Sequence, residues 1–387
     1  MITAETLKTY LYWFVVLQVC VISVSIAASS LLLGLIVLSL VVLAVKARRW
    51  PVPQTPIDVA VIAYIAVEFI TALNSDHQLD ALKNAKRLLL ISMVYAVIVS
   101  FDTQEKVRRA VKILAAAVAL LSIAEIFLYY FRGTERLYVF QHYMTTGGLK
   151  MIVALILIPF IIAPGTGKKE RIFSIAVFLP TITALVLTNT RSAWLGLVFG
   201  IMVISLLRYR SLFFILIAAV ILFFQFGPEQ QVERARSIVD LSNPTNVGRL
   251  NMWSTGLRMW QDRPLLGFGD IDLYQTYLTY RTPTGDEPAG HLHNNYIHLL
   301  VTTGLLGLSV VMFLFYKIVQ TEYRVFADAK GDERTQTVAL GAIAVFCGFL
   351  VNGLFEWNFG DHEIMIFVWF TVGLCLSAGQ TRTGERT

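Results

Sequence analysis

The chain has 387 residues, 56% of them hydrophobic by type and 15% charged, with a formal charge of +6 and a mean hydropathy of +0.65. That composition excludes a soluble multidomain protein and points to a polytopic membrane protein; the scattered positive charge, with no basic stripe interleaved with stacking aromatics, argues against nucleic acid as a partner. Cys20, Cys347 and Cys375 all lie inside apolar runs, where the thiol behaves as a small hydrophobe and implies neither a disulfide nor a metal.

The first apolar run, about 11–29, is longer than a signal-peptide core and has no convincing small-residue cleavage site, so it reads as a retained helix. Apolar runs of spanning length recur near 10–30, 31–47, 57–73, 87–101, 109–131, 148–164, 171–188, 192–207, 211–226, 296–319, 336–357 and 361–378, which predicts an all-α fold of about twelve membrane helices. Spans 1 and 2 nearly abut, and Pro159 and Pro180 are expected to kink spans 6 and 7. The chain divides into 1–226 with the first nine spans, a polar segment 227–295, and 296–387 with the last three spans and a short tail.

An even number of spans puts both termini on one side. Lys8, the loops carrying Lys46 to Arg49, Lys106 to Lys112, Lys168 to Arg171, Arg208 with Arg210, and Lys317 to Arg334, and Arg382 with Arg386 all fall on that side. They hold about 19 of the 32 basic residues, against about 7 on the opposite short loops, so both termini are predicted to be cytoplasmic. On this topology all six histidines, His77, His142, His291, His293, His298 and His362, lie at or near the other face. The segment 227–295 is too polar to span and too aromatic for a disordered linker. Within it, Leu250, Trp253, Leu257 and Trp260 recur at helical spacing opposite Asn251, Ser254, Arg258 and Gln261, predicting an amphipathic helix at the membrane interface that Pro264 stops.

The stretch GHLHNNYIHLLVTTGLLG, from Gly290 to Gly307, carries His291, His293 and His298 where a polar segment meets an apolar run. Histidine can exchange a proton near neutral pH, so this boundary is the candidate active site, with His293 where water-borne and membrane-borne groups meet. Asn294 and His298, four apart, would share a helix face, and Gly304 and Gly307 would let that helix approach a neighbour closely. Arg191, in TNTRSAW at the outer turn between spans 7 and 8, and Arg249, opening the interfacial helix, present guanidinium forks suited to a diphosphate. Each has a structural alternative: an interfacial or capping histidine, a salt-bridged Arg191, a snorkelling Arg249. Lys83, Lys86 and Arg87 before span 4, with Lys150 at the outer start of span 6, could extend an anion-attracting surface. Glu68 and Glu125, five or six residues below the outer edge by about the helical rise, could pair with those cations. His291-x-His293 lacks an identified third zinc ligand, Asp270-Ile-Asp272 lies on the side without sugar nucleotides, and Gly267-Phe-Gly269 is too short to specify a nucleotide. No metal or cofactor is assigned.

The twelve-span layout, the large late outer loop, Arg191 in TNTRSAWLG, Arg249 in GRLNMWSTGLRMWQDRPLLGFG and HNNYIHLLVTTGLLG from His293 together resemble the bacterial O-antigen ligase, polymerase and O-oligosaccharyltransferase superfamily. The His-Asn element followed by Gly-x-x-Gly most resembles the ligases. The resemblance implies a metal-independent glycosyltransferase in the bacterial inner membrane. It would move a glycan from undecaprenyl diphosphate to a sugar hydroxyl of lipid A-core at the periplasmic face. His293 would be the general base, Arg191 and Arg249 would hold the leaving diphosphate, and Asn294, His298, Lys83, Lys86, Arg87 and Lys150 would be substrate-binding residues. Within the family the alternatives are an O-antigen polymerase and a protein O-oligosaccharyltransferase; outside it, a flippase for a lipid-linked sugar, in which Glu68 and Glu125 would relay protons, or a structural membrane subunit.

Overall fold

The computed structural model describes residues 3–48, 51–282 and 290–383, and every regular element among them is helical. The chain runs through α1 (Ala4–Val21), α2 (Ile26–Ala47), α3 (Asp58–Asn74), α4 (Gln78–Asn84), a 3-10 segment Ala85–Ile91 and α5 (Ser92–Ser100). It continues through α6 (Gln104–Arg132), α7 (Tyr143–Ile162), α8 (Lys168–Leu187), α9 (Arg191–Leu207), α10 (Ser211–Phe226), α11 (Glu229–Arg236), α12 (Pro244–Asp262) and α13 (Tyr274–Tyr280), then closes with α14 (Asn295–Asp328), α15 (Glu333–Asn352) and α16 (His362–Thr383).

Helices lie on all twelve predicted apolar runs, but seven of them, α2, α6, α7, α8, α14, α15 and α16, are long and apolar enough by themselves to cross a membrane, or eight if the bent pair α10 and α11 is taken as one. The others are shorter: α3 and α9 have 17 residues and α10 has 16. The predicted fourth span is not one α-helix but a tight 3-10 run continued by α5. Pro159 and Pro180 are accommodated inside α7 and α8.

The apolar core is built around α7, α15 and α16, whose most apolar windows are 83% buried. Gly196, Gly200 and Gly348 sit where α9 crosses α7 and α15, and a Cβ there would meet Met151, Leu155 or the facing backbone, so small residues set the close packing expected where lipid gives helices no hydrophobic drive to associate. At the other extreme, no side chain of α10 is buried. Buried charges of the bundle are paired: Lys150 Nζ is 2.8 Å from Glu125, both almost fully buried, and Arg87 pairs with Asp270 and lies 3.8 Å from Glu68. Charges at such depth persist when paired.

The predicted Gly-x-x-Gly helix contact takes a different form. α14 is interrupted at Gly304, with φ 66° and ψ −171°, a conformation essentially reserved for glycine, and a Cβ there would collide with the Leu265 carbonyl. The interruption frees backbone groups that residues 264–269 take up. Phe268 and Gly269 N–H donate to the carbonyls of Val301 (3.0 Å) and Thr302 (2.7 Å), while Leu305 and Leu306 N–H donate to those of Pro264 (2.8 Å) and Leu265 (3.2 Å). What approaches the helix is thus a loop, not a neighbouring helix, and its hydrogen bonds permit irregular backbone at that depth. The Gly267-Phe-Gly269 turn is part of this clasp, and a small second core around Met259, Phe268, Tyr277, Leu292 and Val301 backs it.

α12 ends before Pro264, as its sequence signals, but its inward face is Arg249, Met252, Gly256 and Met259, whereas Leu250 and Leu257 remain 46% and 42% exposed. Trp253 and Trp260 spend their indole N–H groups on the carbonyls of Leu292 and Pro264. The helix therefore anchors Arg249 over the end of α14.

Candidate active site

The N-terminus of α14 meets the loop between α15 and α16, and asparagines lock the two together. Asn294 caps α14, its side-chain oxygen accepting from Tyr296 and Ile297 N–H at 2.9 Å, while its amide donates to the Leu354 carbonyl at 2.8 Å. Asn295 N–H donates to the Gly353 carbonyl at 2.7 Å, and its side chain bonds Asn358 and the Phe359 N–H. A capping asparagine satisfies helix donors that would otherwise be orphaned. Held between these contacts, His293 adopts a positive φ of 45°, and its Nδ1 lies 3.0 and 3.2 Å from the two carboxylate oxygens of Glu356.

Burial opposes charge on Glu356, yet the hydrogen bond from His293 and the positive fields of His293, His291 and Arg249 hold its carboxyl below the ordinary glutamate value. An ionised carboxylate only accepts, so the bond is donated by Nδ1, and in a neutral ring the lone pair then lies on Nε2. Arg249 lies 4.0 Å from the other side of the same carboxylate. A histidine held by a buried acid in this way can act as an oriented base.

Beyond Glu356 the field is positive. Arg191 is 5% exposed, yet its guanidinium donates to the Ser237 carbonyl (2.7 Å), the Ser237 hydroxyl (3.0 Å) and the Asn246 side chain (2.7 Å) rather than to a carboxylate. The salt-bridge alternative for Arg191 thus finds no partner among the described residues. The charges of Arg136, Arg234 and Arg249 all bear on it. Burial, then the charges of Arg136 and Arg249, push Arg234 below the usual guanidinium range, and burial lowers Arg249 against the pull of Glu356. Arg136, Arg191, Arg234 and Arg249 thus bear on one another, and among the described residues only Arg249 is paired with a carboxylate; such a site is short of negative charge, which a diphosphate would supply. An apolar cavity of about 550 Å³ between α7, α8, α9 and α10, lined by Ile158, Phe178, Trp194 and Phe223, also takes in Ala235 and Ile238, the chain neighbours of Arg234 and Ser237.

Of the residues singled out in the sequence, His293, Arg191 and Arg249 converge here. Asn294 spends both ends of its side chain on backbone and so holds the loop against α14. Lys150 is 2% exposed and bound to Glu125. Lys83 is exposed and pairs with Asp80. Arg87 is neutralised by Asp270 and Glu68, whereas Lys86 and Arg87 line a second cavity with His298, whose buried ring packs on Trp357 at 3.9 Å. Glu356, Arg136 and Arg234 were missed. Glu356 had been included in the span 336–357, although Gly353 and an acid so near the outer edge are signals to end that span earlier, where α15 does end. Arg136 and Arg234 carry a signal too: they are cations on the side where the positive-inside pattern predicts few.

His291, His293 and Glu356 each bring one potential ligand atom within 4.8 Å of the others, so the third donor absent from the sequence motif is present. The His293–Glu356 hydrogen bond satisfies two of the three without an ion, and the rings of His291 and His293 pack edge to face at 4.3 Å.

A family model described as O-antigen ligase matches residues 175–312, from α8 into α14, a stretch containing Arg191, Arg234, Arg249, His291 and His293. No curated protein matches the chain. That match, together with the all-helical build and its seven helices long and apolar enough to cross a membrane, supports membership of the chain in the O-antigen ligase superfamily.

Proposed function

We propose that the protein is an O-antigen ligase, moving a polysaccharide from undecaprenyl diphosphate to a sugar hydroxyl of lipid A-core without a metal ion or other cofactor. The observation that carries this reading is the His293–Glu356 pair with Arg249 beside its carboxylate, and Arg191, Arg234 and Arg136 bearing on one another and on Arg249. In the reaction the acceptor hydroxyl gives its proton to His293 Nε2 while its oxygen bonds the anomeric carbon. The bond from that carbon to the carrier diphosphate breaks, and its electron pair leaves on the diphosphate oxygen. Glu356 stabilises the imidazolium that forms, and Arg191, Arg249, Arg136 and Arg234 offset the charge growing on the leaving group. One displacement inverts the anomeric centre. The apolar cavity, whose lining includes Ala235 next to Arg234 in the chain, suits the first part of the polyprenyl chain.

We read residues 1–226 as nine membrane helices, 227–295 as a periplasmic loop bearing site residues, and 296–387 as three further helices and a cytoplasmic tail, with both termini cytoplasmic. The positive-inside asymmetry supports this orientation. A polymerase or a protein O-oligosaccharyltransferase would share the donor chemistry and differ in acceptor. A proton-coupled flippase has less support, because Glu68 and Glu125 are each held in an ion pair.

The test is transfer of carrier-linked glycan to lipid A-core by purified protein with chelator present, comparing wild type with His293→Ala at matched folded yield. Transfer by wild type that the variant loses is the expected result. Transfer that survives removes His293 as base, and no transfer by wild type removes the ligase reading.

A further inference from the structure

His291, His293 and Glu356 surround one point, and among the described residues no other three side chains of ligating type converge as closely. One ligand atom from each comes within 4.8 Å of the other two, and His293 Nδ1 already stands 3.0 and 3.2 Å from the two oxygens of Glu356. In a tetrahedral zinc site with bonds of about 2.0 to 2.1 Å, neighbouring ligand atoms lie about 3.3 Å apart. One edge of such a tetrahedron is therefore nearly formed, and a turn of the His291 ring closes the others. That ring lies edge to face with His293 at 4.3 Å, and its Nδ1 is buried with no hydrogen-bond partner, so no existing bond at that nitrogen has to break. The Trp357 N–H donates to Glu356 Oε1 at 3.2 Å and fixes the carboxylate. Asp272 adds negative charge beside His291, while Arg249, 4.0 Å from the other Glu356 oxygen, opposes a cation there. The way in is open: the His293 side chain is 22% exposed, and His291 lines a cavity of about 780 Å³.

We propose that His291, His293 and Glu356 bind a divalent cation of the zinc class, and that the bound cation inhibits transfer by occupying His293 Nδ1. The inhibition rests on the transferase reading above; the binding does not. Two imidazoles and one carboxylate select a borderline metal such as zinc over Mg²⁺, which keeps to oxygen ligands in an octahedron. Three protein ligands leave the fourth position to water. A neutral His293 carries one ring proton, on the nitrogen that faces Glu356. When the metal bonds that nitrogen, the proton passes through water to Nε2, the ring as a whole loses none, and Glu356 exchanges an accepted hydrogen bond for a metal bond. Nε2 then holds a proton where the acceptor hydroxyl needs a lone pair, so the base is withdrawn without being displaced. Because the His293–Glu356 hydrogen bond satisfies both groups without an ion, the metal competes with the active arrangement instead of completing it.

The experiment uses full-length protein in lipid nanodiscs, stripped of metal by chelator and then freed of the chelator, and compares wild type with His291→Ala and His291→Asn at matched size-exclusion profile. Binding is read with Co²⁺ as a spectroscopic stand-in for zinc: wild type should develop the intense visible absorption of a four-coordinate site, and both variants should lose it. Transfer of carrier-linked glycan to lipid A-core is then followed over a buffered series of free zinc concentrations. Since a general base contributes about 10²- to 10⁴-fold, saturating zinc should lower wild-type transfer by about 10²-fold or more. Chelator should restore the rate, and Mg²⁺ at the same concentrations should leave it unchanged. Against its own zinc-free rate, each variant should need about tenfold or more zinc for half-inhibition. Absence of the Co²⁺ absorption in wild type, or half-inhibition of wild type and both variants at the same zinc concentration, overturns the site. Stimulation of transfer by zinc overturns the inhibitory role. Co²⁺ absorption that the variants lose, with no transfer by wild type, overturns the transferase reading and leaves the metal site standing.

Discussion

Replacing Glu356 by glutamine tests the mechanism most directly, because it keeps the shape of the carboxylate and removes its charge. The carboxylate lies 3.0 Å from His293 Nδ1, where attraction between unit charges is about 5 to 6 kcal/mol at an effective dielectric of about 20. The amide oxygen retains a neutral hydrogen bond of about 1 kcal/mol, and water at the partly open ring offsets some of the rest, leaving a loss of about 3 to 4 kcal/mol as the imidazolium develops. That corresponds to about a 10²- to 10³-fold fall in kcat. The assay is glycan transfer at saturating donor and acceptor, with folding matched by size-exclusion profile. His293→Ala and the double variant complete the comparison: if Glu356 acts through His293, adding Glu356→Gln to His293→Ala costs no further activity. Single-variant activity within about threefold of wild type, or an additive double variant, would refute the dyad.

Gly304→Ala should destabilise the fold by about 2 to 4 kcal/mol, since its Cβ meets the Leu265 carbonyl at a φ that disfavours alanine, and the thermal midpoint in detergent measures it. Lys150→Met should cost about 3 to 5 kcal/mol by leaving Glu125 charged and unpaired, while the double variant Lys150→Met with Glu125→Met recovers most of the loss; unfolding midpoints of the three variants decide. Asp361, outside α16, is pushed up to about 8 by burial and by the charges of Glu356 and Glu363, against a bond with Thr145. With the folded value above an unfolded value of about 3.9, the stability it lends is fully present below about pH 4 and declines as pH rises towards 8. Asp361→Asn should therefore gain in melting temperature relative to wild type between pH 5 and pH 8, and a constant difference across that range would refute the shift.

Much of the architecture is a matter of local composition. Apolar runs long enough to span, bounded by charge and proline, become helices wherever they occur, because a backbone in lipid must bond within itself. The twelve helical positions were accordingly legible, as was the helix stopped by Pro264. Their individual lengths were less so: Gly353 and the 3-10 run before α5 shift ends by several residues, and such ends depend on what the backbone meets in space. Gly304 was legible as a point of close approach, but not as a break, because its partner is a loop some 40 residues earlier by about the numbering of Leu265.

The site divides in the same way. His293, Arg191 and Arg249 stand out in the sequence because titratable and permanently charged groups at an apolar boundary are costly and so conspicuous there. Which of the remaining polar residues serve the site is set by pairing across distant helices. Lys150 and Arg87 stand out in the sequence and are neutralised by Glu125, Asp270 and Glu68, while Arg136 and Arg234, which the sequence did not single out, join the cluster. Glu356 lies 63 residues from His293 in the chain, and its role exists only because Asn294 and Asn295 bind the 353–359 backbone to the end of α14. Charge and hydropathy are properties of a residue and could be read directly, but neutralisation is a property of pairs, and the tertiary fold alone decides the pairs.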